Sequence, residues 1–464
     1  MRSYSTHRSG TGFTGDAIAS VATFLTGFAG IGASKTTAWD TALTRAHSVV
    51  AGSATASPAS SNINPSELLG SDLALLASNI RRLLGSDHPV LKSIASYYFM
   101  GSGGKHIRPM LVLLVAKASS IAPTPRRTSP PLSIERINEP ISSNSEVLFA
   151  LAVNAPPLSA SKQGGEILPT QRRLAEITEM IHTASLLHDD VIDMSLVRRK
   201  MPSVNAEYGN KMAILAGDFL LARASIALAR LRNVEVVELL STVISNLVEG
   251  EFMQLRNSAN KKGTPEPKTE AQESLETRLP DSLAPLSRQA PNMREFTDEI
   301  TNQRFEYYLT KTYMKTASLI ANSCKAAAVL GGCNELVADA LYRYGRALGL
   351  AFQVVDDMLD FTVTAEEMGK PVNADLKLGL ATAPVLYAAE QFPELDVIIE
   401  RNFKQDGDAT TALQLIHASN GIERTRSLAA AFCEEAVEAL SILPESDAKK
   451  VLIQLTEAVV TRKN

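Results

Sequence analysis

One aspartate-rich stretch occurs twice in this chain. Residues 189–193 read Asp-Asp-Val-Ile-Asp (DDVID, the first triplet) and residues 356–360 read Asp-Asp-Met-Leu-Asp (DDMLD, the second triplet), and both lie in sequence that predicts a helix. At about 3.6 residues per turn, the first and last aspartates of each triplet lie on one face of the helix. Their charges repel one another unless a cation lies between them, and Mg²⁺ binds carboxylates together with substrate phosphates. The two triplets therefore predict a pocket for several Mg²⁺ ions and a diphosphate.

The pattern of apolar residues predicts a helical fold. Apolar residues recur at steps of three and four, which is the pattern of an amphipathic helix. The first such helix is expected to begin at Pro65, capped by Asn64, and to continue to Leu83. Further stripes run through residues 174–184 and 337–359, into the two triplets. Alternating strand patterns are scarce and no Asn-Gly turn joins two apolar runs, so we predict an all-α protein.

Composition excludes several classes of protein. The 464 residues are 45% apolar and 21% charged, which is the balance of a soluble globular protein. A formal charge of −4 and the lack of a long basic stripe argue against a nucleic-acid partner. The three cysteines have no metal-binding spacing, which indicates a reducing compartment without a disulfide framework. No run of eighteen strongly apolar residues occurs, so no transmembrane helix is predicted.

Residues 1–61 have the composition of a mitochondrial transit peptide, because they are rich in Ser, Thr and Ala and carry four basic residues against two acidic ones. An ordinary disordered tail is the alternative. We expect residues 62–464 to form the folded domain, with flexible insertions at about 121–170 and 257–293. Those two stretches hold 13 of the 22 prolines and show no helical periodicity.

Basic residues follow both acidic triplets. Arg198 and Arg199 come just after the first triplet, and Lys370 follows the second. Residues 101–109 (GSGGKHIRP) combine glycines and basic side chains before an apolar helix, where free backbone N–H groups can bind an anion. This is not a Walker A loop, because His106 follows the lysine where Ser or Thr is required. A plain helix-capping turn is the alternative for this cluster.

Two histidines raise the alternative of a metal-dependent phosphohydrolase. His188 directly precedes Asp189, as in the His-Asp metal pair of that class, and His182 lies nearby. Such a site needs further histidines, and the other five are scattered. A lone triplet would also suit a solvated helix face. The second triplet beside an apolar stripe argues against both alternatives, since unpaired aspartates are rarely placed at the border of a core.

Five blocks of this sequence resemble those of the trans-isoprenyl diphosphate synthases, in particular the long-chain polyprenyl diphosphate synthases of ubiquinone biosynthesis. The blocks are GGKHIRP (103–109), IHTASLLHDDVIDMSLVRR (181–199), KTASL (315–319), FQVVDDMLDF (352–361), and GK (369–370) followed by DLKLGLATAPVLYA (375–388). The resemblance extends over residues 62–120, 171–256 and 294–464. It implies an all-α, isoprenoid synthase-type helical bundle around a central apolar tunnel.

The resemblance also implies roles for individual residues. Six aspartates are implied to be catalytic: Asp189, Asp190, Asp193, Asp356, Asp357 and Asp360. Four of them are implied to bind the metal: Asp189, Asp193, Asp356 and Asp360. The implied site for isopentenyl diphosphate consists of Lys105, Arg108, His182 and Arg199. The implied site for the allylic diphosphate consists of Arg198, Lys315, Thr316, Gln353 and Lys370.

The implied reaction is the repeated head-to-tail addition of isopentenyl diphosphate to an allylic diphosphate, with about two to three Mg²⁺ ions per site as the cofactor. Breaking the allylic C–O bond puts negative charge on the diphosphate, which Mg²⁺ and cationic side chains stabilise. The reaction needs no protein nucleophile, and no Ser/His/Asp or Cys/His arrangement is apparent in the sequence.

Product length is expected to depend on Ala184 and Ser185, five and four residues before Asp189. In the family, bulky aromatic residues at these positions stop chain growth, so two small residues predict a long product. Close helix packing is the alternative reason for small residues there. The expected partners are the two diphosphate substrates, a second copy or a different subunit, and the membrane that receives the product. The expected location is the mitochondrial matrix, at or near the inner membrane.

Three rival functions share part of this pattern. A terpene cyclase also ionises diphosphates with Mg²⁺, but it typically pairs one D-D-x-x-D with an Asn/Ser/Glu motif. A short-chain (farnesyl or geranylgeranyl) diphosphate synthase shares the whole mechanism, and Ala184 and Ser185 argue against it. A non-catalytic subunit of a hetero-oligomeric synthase would be expected to lose one or both triplets, and this chain keeps both.

Overall fold

The computed structural model describes residues 63–84, 93–94, 97–99, 106–122, 166–198, 201–259, 293–362 and 374–462. The predicted transit peptide and most of both predicted insertions lie outside these residues. The elements in chain order are α1 Pro65–Leu69, α2 Ser71–Ala74, α3 Leu76–Leu83, α4 Ile107–Ser119, α5 Pro169–Ile192, β1 Val197–Arg198, β2 Met201–Pro202, α6 Val204–Tyr208, α7 Asn210–Ala229, α8 Val234–Ala259, α9 Met293–Thr312, α10 Ser318–Leu330, α11 Glu335–Thr362, α12 Ala374–Leu378, α13 Ala383–Ala389, α14 Glu394–Glu400, α15 Asp408–Ala418, α16 Gly421–Ala439 and α17 Asp447–Thr461.

The described part of the chain is helical apart from one short hairpin. In that hairpin β1 and β2 pair antiparallel, with Val197 opposite Pro202 and Arg198 opposite Met201. A π-helical turn, Tyr313–Ala317, follows α9, and a 3₁₀ turn, Leu440–Ile442, follows α16. The all-α prediction is therefore confirmed, with the hairpin as a small addition.

The single helix predicted from Pro65 to Leu83 is wrong, because the chain forms three short helices there. Asn64 does cap α1, its side chain accepting a hydrogen bond from the Ser66 N–H at 3.0 Å. Gly70 then ends α1 with φ 48° and ψ −121°, a backbone conformation that the α-helix does not contain and that glycine tolerates. Apolar spacing alone does not reveal such an interruption, since the stripe continues across it.

The helices divide into two compact units, which are described separately. The first unit comprises the described residues up to 247, together with 313–353 and 427–462. Its centre is α4, in which seven consecutive residues, 110–116, are buried. A helix that is apolar on all sides has to be surrounded, and α4 contacts α5, α10 and α17. Helix α5, which carries the first triplet, also packs along α7.

Two glycines of α11 allow close packing inside the first unit. A Cβ atom on Gly349 would lie 2.6 Å from the Cα atom of Ala317, in the π-helical turn. A Cβ atom on Gly345 would lie 2.8 Å from the Cα atom of Ala321, in α10. The π-helical turn therefore sits directly on the backbone of α11. Turns of this kind are rare and are frequent at functional sites.

The second unit comprises the described residues within 248–312 and 354–426. Helix α13 contacts α9, α14 and α15 in this unit. Its core contains the buried side chains of Phe361, Leu376, Val385, Ala388, Leu395, Ala412 and Ile416. Phe361 directly follows the second triplet in α11, so burial of this side chain fixes the end of that helix in the unit.

One described helix is long and apolar enough to cross a membrane by length and composition. It is α7, which is only partly buried inside the protein. The core helix of a soluble protein meets the same criteria, so this is weak support for a membrane span.

The close approach at Gly349 leads to a stability prediction. Gly349→Ala should lower the free energy of unfolding by about 1–2 kcal/mol, because overpacking against the Ala317 backbone outweighs the gain in helix propensity. Thermal melting followed by circular dichroism measures this. Ala222→Ser is the control: it also adds one heavy atom, but at an exposed position of α7, and it should change stability by less than about 0.5 kcal/mol. A Gly349→Ala variant as stable as the control would show that α11 and the π-helical turn are not in contact.

Candidate active site

The first triplet lies at the C-terminal end of α5. Asp189 and Asp190 belong to its last turn, and Asp193 is its C-cap, donating its N–H to the Asp189 carbonyl oxygen at 2.8 Å. The three carboxylates differ in exposure: Asp189 is half-buried and Asp193 is exposed, whereas Asp190 is only 1% exposed. The outer aspartates can therefore reach a ligand, and the inner one faces the protein.

Asp190 is held by two side chains of the first unit. The Arg198 guanidinium donates from Nε to both carboxylate oxygens at 2.8 Å and from Nη2 to Oδ1 at 2.7 Å. The Tyr98 hydroxyl donates to Oδ2 at 2.5 Å. Burial alone would lower the pKa of Arg198, but the Asp190 carboxylate outweighs it and the pKa is raised. Arg198 was predicted to bind the allylic diphosphate. In the structure its guanidinium forms a hydrogen-bonded ion pair with Asp190.

The predicted site for isopentenyl diphosphate is partly assembled where α4 meets α5. Arg108 Nη1 lies 2.9 Å from His182 Nε2, which joins two of the four predicted residues. One turn away, His106 Nδ1 lies 3.1 Å from Glu179 Oε1. His106 is the N-cap of α4 and has a left-handed backbone (φ 41°), a conformation that costs energy for a residue with a side chain.

Glu179 is a buried acid that sequence reasoning did not assign to the site. Its burial raises the pKa, but the hydrogen bond from His106 and the nearby His182 and Arg108 outweigh the burial and lower the pKa to about 2. Glu179 therefore carries a negative charge beside Arg108 over the whole physiological pH range. The only sequence signal for it is its position three residues before His182, on the same face of α5.

Two described residues of the predicted allylic site are in direct contact. Thr316 Oγ1, in the π-helical turn, donates to Gln353 Oε1 at 2.9 Å. Lys315 precedes Thr316 in the same turn and is half-buried. This contact joins the KTASL block to the FQVVDDMLDF block within the first unit. Lys105, Arg199 and Lys370 lie outside the described residues, so their roles stay predictions.

The second triplet repeats the burial pattern of the first for its first two aspartates. Asp356 is half-buried, whereas Asp357 is 5% and Asp360 is 7% exposed. The buried Tyr308 hydroxyl donates to Asp357 Oδ2 at 2.6 Å. Asp360 accepts hydrogen bonds from two backbone N–H groups at the start of α12, those of Ala374 at 3.3 Å and Asp375 at 3.2 Å.

Asp375 adds a fourth carboxylate beside the three of the second triplet, and sequence reasoning missed it. Its pKa is raised well above the usual value, first by burial and then by the charges of Asp357 and Asp360. Lys311 opposes this rise but does not cancel it. This crowding is the observation that fits a metal site, because hard divalent cations offset carboxylates that repel one another. The signal available in the sequence was the aspartate that begins the DLKLGLATAPVLYA block.

Lys311 lies four residues before Lys315 and begins a second Lys-Thr pair, Lys311-Thr312. Lys311 is buried in the second unit, with its ammonium group 5.8 Å from the centre of the Tyr308 ring. Among the described residues, no group of three or more His, Cys, Asp or Glu side chains already has the geometry of a metal site. Asp189 and Asp193 belong to the first unit and Asp356 and Asp360 to the second, so their pairing around one metal cluster stays a prediction.

The residues predicted to set product length lie on α5, as expected. Ala184 is fully buried, and Ser185 is half-buried with its hydroxyl donating to the His182 carbonyl oxygen at 2.9 Å. A cavity with about 500 Å³ of empty space, which includes open solvent, lies elsewhere in the first unit, beside Arg108 and Phe352. Ala184 and Ser185 do not line that cavity, and their role stays a prediction.

Comparison with known proteins decides the family. The model of the family described as polyprenyl synthetase matches residues 88–273 and 287–416. The chain belongs to this family. A probable mitochondrial hexaprenyl pyrophosphate synthase from Neurospora crassa is 48% identical over 402 residues, covering 86% of this chain and 82% of that protein. The decaprenyl-diphosphate synthase subunit 1 of Schizosaccharomyces pombe is 42% identical over 402 residues, covering 87% of this chain and 92% of that protein.

A solved structure agrees with these relatives. A polyprenyl synthase from Caulobacter crescentus CB15, in complex with calcium and isoprenyl diphosphate, gives a TM-score of 0.62 at 26% identity, covering 86% of this chain and 97% of that chain. The predicted isoprenoid synthase-type fold is thereby confirmed. The predicted class of enzyme, a prenyltransferase that makes long-chain polyprenyl diphosphates, is confirmed by the family and its relatives. The predicted mitochondrial location agrees with the name of the Neurospora relative.

The low pKa of Glu179 leads to a prediction about pH. A carboxyl group whose pKa is lower in the folded than in the unfolded protein stabilises the fold above the unfolded pKa, and this stabilisation is lost as the pH falls through the folded pKa. Glu179→Gln should therefore lower the free energy of unfolding by up to about 3 kcal/mol at pH 5 and above, which also lowers the melting temperature. The stability deficit relative to the wild type should shrink between pH 5 and pH 3.

Glu423→Gln is the control for this measurement, because Glu423 is an exposed partner of Arg426 on α16. It should change stability by less than about 0.5 kcal/mol at pH 7. A Glu179→Gln deficit that stays constant from pH 5 to pH 3 would contradict the assignment of the lowered pKa to this residue.

Proposed function

We propose that this chain is a mitochondrial trans-polyprenyl diphosphate synthase that makes the long prenyl tail of ubiquinone. It adds isopentenyl diphosphate units head to tail onto an allylic diphosphate primer, in a Mg²⁺-dependent reaction that repeats until the tunnel is filled. The observation that carries this proposal is the family match, which spans both aspartate triplets. Residues 1–61 serve as the transit peptide, and the two Pro-rich stretches are insertions between helices of one catalytic domain.

The metal site is the first part of the proposal. Catalysis in the polyprenyl synthetase family uses Mg²⁺. Asp189 and Asp193 from the first unit, with Asp356 and Asp360 from the second, would hold about two to three ions. The exposure of Asp193 and the crowding of carboxylates around Asp375 support this choice. When bound, the ions stabilise the negative charge that develops on the leaving diphosphate.

The protein side chains hold the two diphosphates. Lys105, Arg108, His182 and Arg199 would bind isopentenyl diphosphate, and the Arg108–His182 contact supports this group. The allylic diphosphate would be held by Arg198, Lys315, Thr316, Gln353 and Lys370, and the Thr316–Gln353 hydrogen bond supports that group. Arginine is suited to this role because its planar fork binds phosphate oxygens in pairs.

The chemistry follows from how charge moves. Cleavage of the allylic C–O bond leaves a delocalised carbocation and a diphosphate anion, and the basic side chains stabilise the anion as it forms. The double bond of isopentenyl diphosphate attacks the cation, and a proton is then lost to the departing diphosphate. Water has to be excluded, because it would quench the cation.

Assembly with another subunit is the remaining part of the proposal. The Schizosaccharomyces relative is named as subunit 1 of a synthase. Helix α7 exposes three large apolar side chains, Ile214, Leu215 and Ile226, which a partner subunit would cover. Homodimer and hetero-oligomer are the two assemblies to distinguish, and light scattering of the purified chain alone separates them.

The first functional prediction concerns the triplets. Asp189→Ala and Asp356→Ala should each reduce turnover by at least about a thousandfold while leaving the helical circular dichroism unchanged, because each removes a ligand of the charge-stabilising ions. Incorporation of labelled isopentenyl diphosphate into extractable product measures this, and excess chelator should abolish it in the wild type. Asp406→Ala, at an exposed position before α15, is the control. Near-normal turnover in either triplet variant would refute the metal assignment.

The second functional prediction concerns product length. Ala184→Phe should shorten the product by several C5 units, because an aromatic ring one turn before Asp189 would block the tunnel. Chromatographic sizing of the dephosphorylated products measures this. Ala418→Phe, at the exposed end of α15, introduces the same ring away from the site and should leave product length unchanged. Equal product length in both variants would remove Ala184 from the tunnel wall.

A further inference from the structure

The chain contains two pairs of adjacent tyrosines, and each pair contacts one triplet. The pairs are Tyr97-Tyr98, which precedes the glycine cluster, and Tyr307-Tyr308, in α9. In each pair the second tyrosine donates its hydroxyl to the inner aspartate of a triplet. The first tyrosine of each pair donates instead to a backbone carbonyl oxygen, that of Pro202 at 3.2 Å or that of Met253 at 2.6 Å.

In the first unit, the Tyr98 hydroxyl lies between α5 and α6. It donates to Asp190 Oδ2 at 2.5 Å and accepts from the Val204 N–H at 3.2 Å. The short distance is that of a hydrogen bond to an ionised carboxylate. Burial and the Asp190 carboxylate both raise the pKa of Tyr98, so the hydroxyl keeps its proton and stays a donor. The inner carboxylate is thus held on its buried side by Tyr98 and Arg198.

In the second unit, Tyr308 has the same relation to Asp357. Its side chain is 2% exposed, and its hydroxyl donates to Asp357 Oδ2 at 2.6 Å. The ammonium group of Lys311 lies over the ring, and Thr312 Oγ1 donates to the Tyr308 carbonyl oxygen at 2.7 Å. Both contacts come from the next turn of α9, one on the ring and one on the Tyr308 backbone, so the buried tyrosine is held in place and cannot easily follow a displaced aspartate.

We infer that Tyr98 and Tyr308 are positioning residues that fix the rotation of the two triplets and thereby direct the outer aspartates towards the cation. This role rests on the proposed function and follows from the geometry of the helix. Successive residues on a helix point about 100° apart. Tying the inner carboxylate to a buried hydroxyl therefore fixes the direction in which Asp189 and Asp356, its neighbours in sequence, point. Without the hydroxyl, a buried carboxylate loses a hydrogen-bond donor and turns towards any cation nearby.

The test uses phenylalanine, which keeps the ring and removes only the hydroxyl. Tyr98→Phe and Tyr308→Phe are compared with Tyr97→Phe and Tyr307→Phe, which remove the neighbouring hydroxyls and leave the triplets untouched. The probe is Mn²⁺ in the presence of inorganic diphosphate, with binding to the full-length protein followed by electron paramagnetic resonance without turnover. Loss of a residue that orients a metal ligand typically weakens metal binding by about 10- to 100-fold.

We expect the dissociation constant for Mn²⁺ to rise at least about tenfold in Tyr98→Phe and Tyr308→Phe and to change less than about twofold in the two controls. The Mg²⁺ concentration for half-maximal turnover should rise in parallel. A purely structural role would lower the melting temperature without moving either metal constant. The effect of Tyr98→Phe should also shrink in an Asp190→Asn background, because the carboxylate that the hydroxyl orients is then absent.

The possible outcomes separate failure of this inference from failure of the proposed function. Wild-type metal constants in folded Tyr98→Phe and Tyr308→Phe would overturn the inference while leaving the proposed function in place. A wild-type protein that neither binds Mn²⁺ with diphosphate nor makes product would overturn the proposed function, and the inference with it. Circular dichroism shows whether each variant is folded at the assay temperature. If Tyr308→Phe unfolds, Tyr98→Phe decides the outcome, since Tyr98 is only half-buried and lies in the other unit.

Discussion

Repulsion among carboxylates is the constraint on which the rest of this structure depends. Each triplet puts three negative charges within little more than one helical turn, and an uncompensated buried charge is costly in a protein interior. The fold resolves this by treating the aspartates differently. The inner ones, Asp190 and Asp357, are buried and satisfied by tyrosine hydroxyls, with Arg198 added in the first unit. Asp189, Asp193 and Asp356 keep access to a ligand.

The second unit keeps more of this repulsion than the first. Asp375 adds a fourth carboxylate near Asp357 and Asp360, and Lys311 only partly offsets it. Burial is the largest cause of the raised pKa of Asp375, and the neighbouring charges add to it. A divalent cation bound among these carboxylates, as proposed, would favour their ionised form and oppose this rise.

Much of the fold and part of the site could be predicted from the sequence, for physical reasons that the residues make plain. The triplets were placed on helices correctly, because periodic apolar residues on α5 and α11 give a strong local signal. The break at Gly70 was missed, since the apolar stripe runs through it. Tyr98, Tyr308, Glu179 and Asp375 were also missed. Each acts through a partner at least 15 residues away in the sequence, and the periodicity of apolar residues does not predict such contacts.

The proposed role of Arg198 at the allylic diphosphate does not require it to leave Asp190. Removing an arginine from a buried carboxylate typically costs about 3–5 kcal/mol, because the remaining charge loses its partner. A substrate that pulled Arg198 off Asp190 would therefore bind weakly. The bonds to Asp190 use Nε and Nη2, whereas a guanidinium has five N–H donors spread over three nitrogens. Arg198 is also about a quarter exposed, at 26%. The arginine can thus stay on the inner aspartate and present its remaining donors to a phosphate oxygen. In this arrangement Asp190 orients the Arg198 guanidinium, and the same interaction would prepare this cation for the diphosphate that the proposed function places beside it.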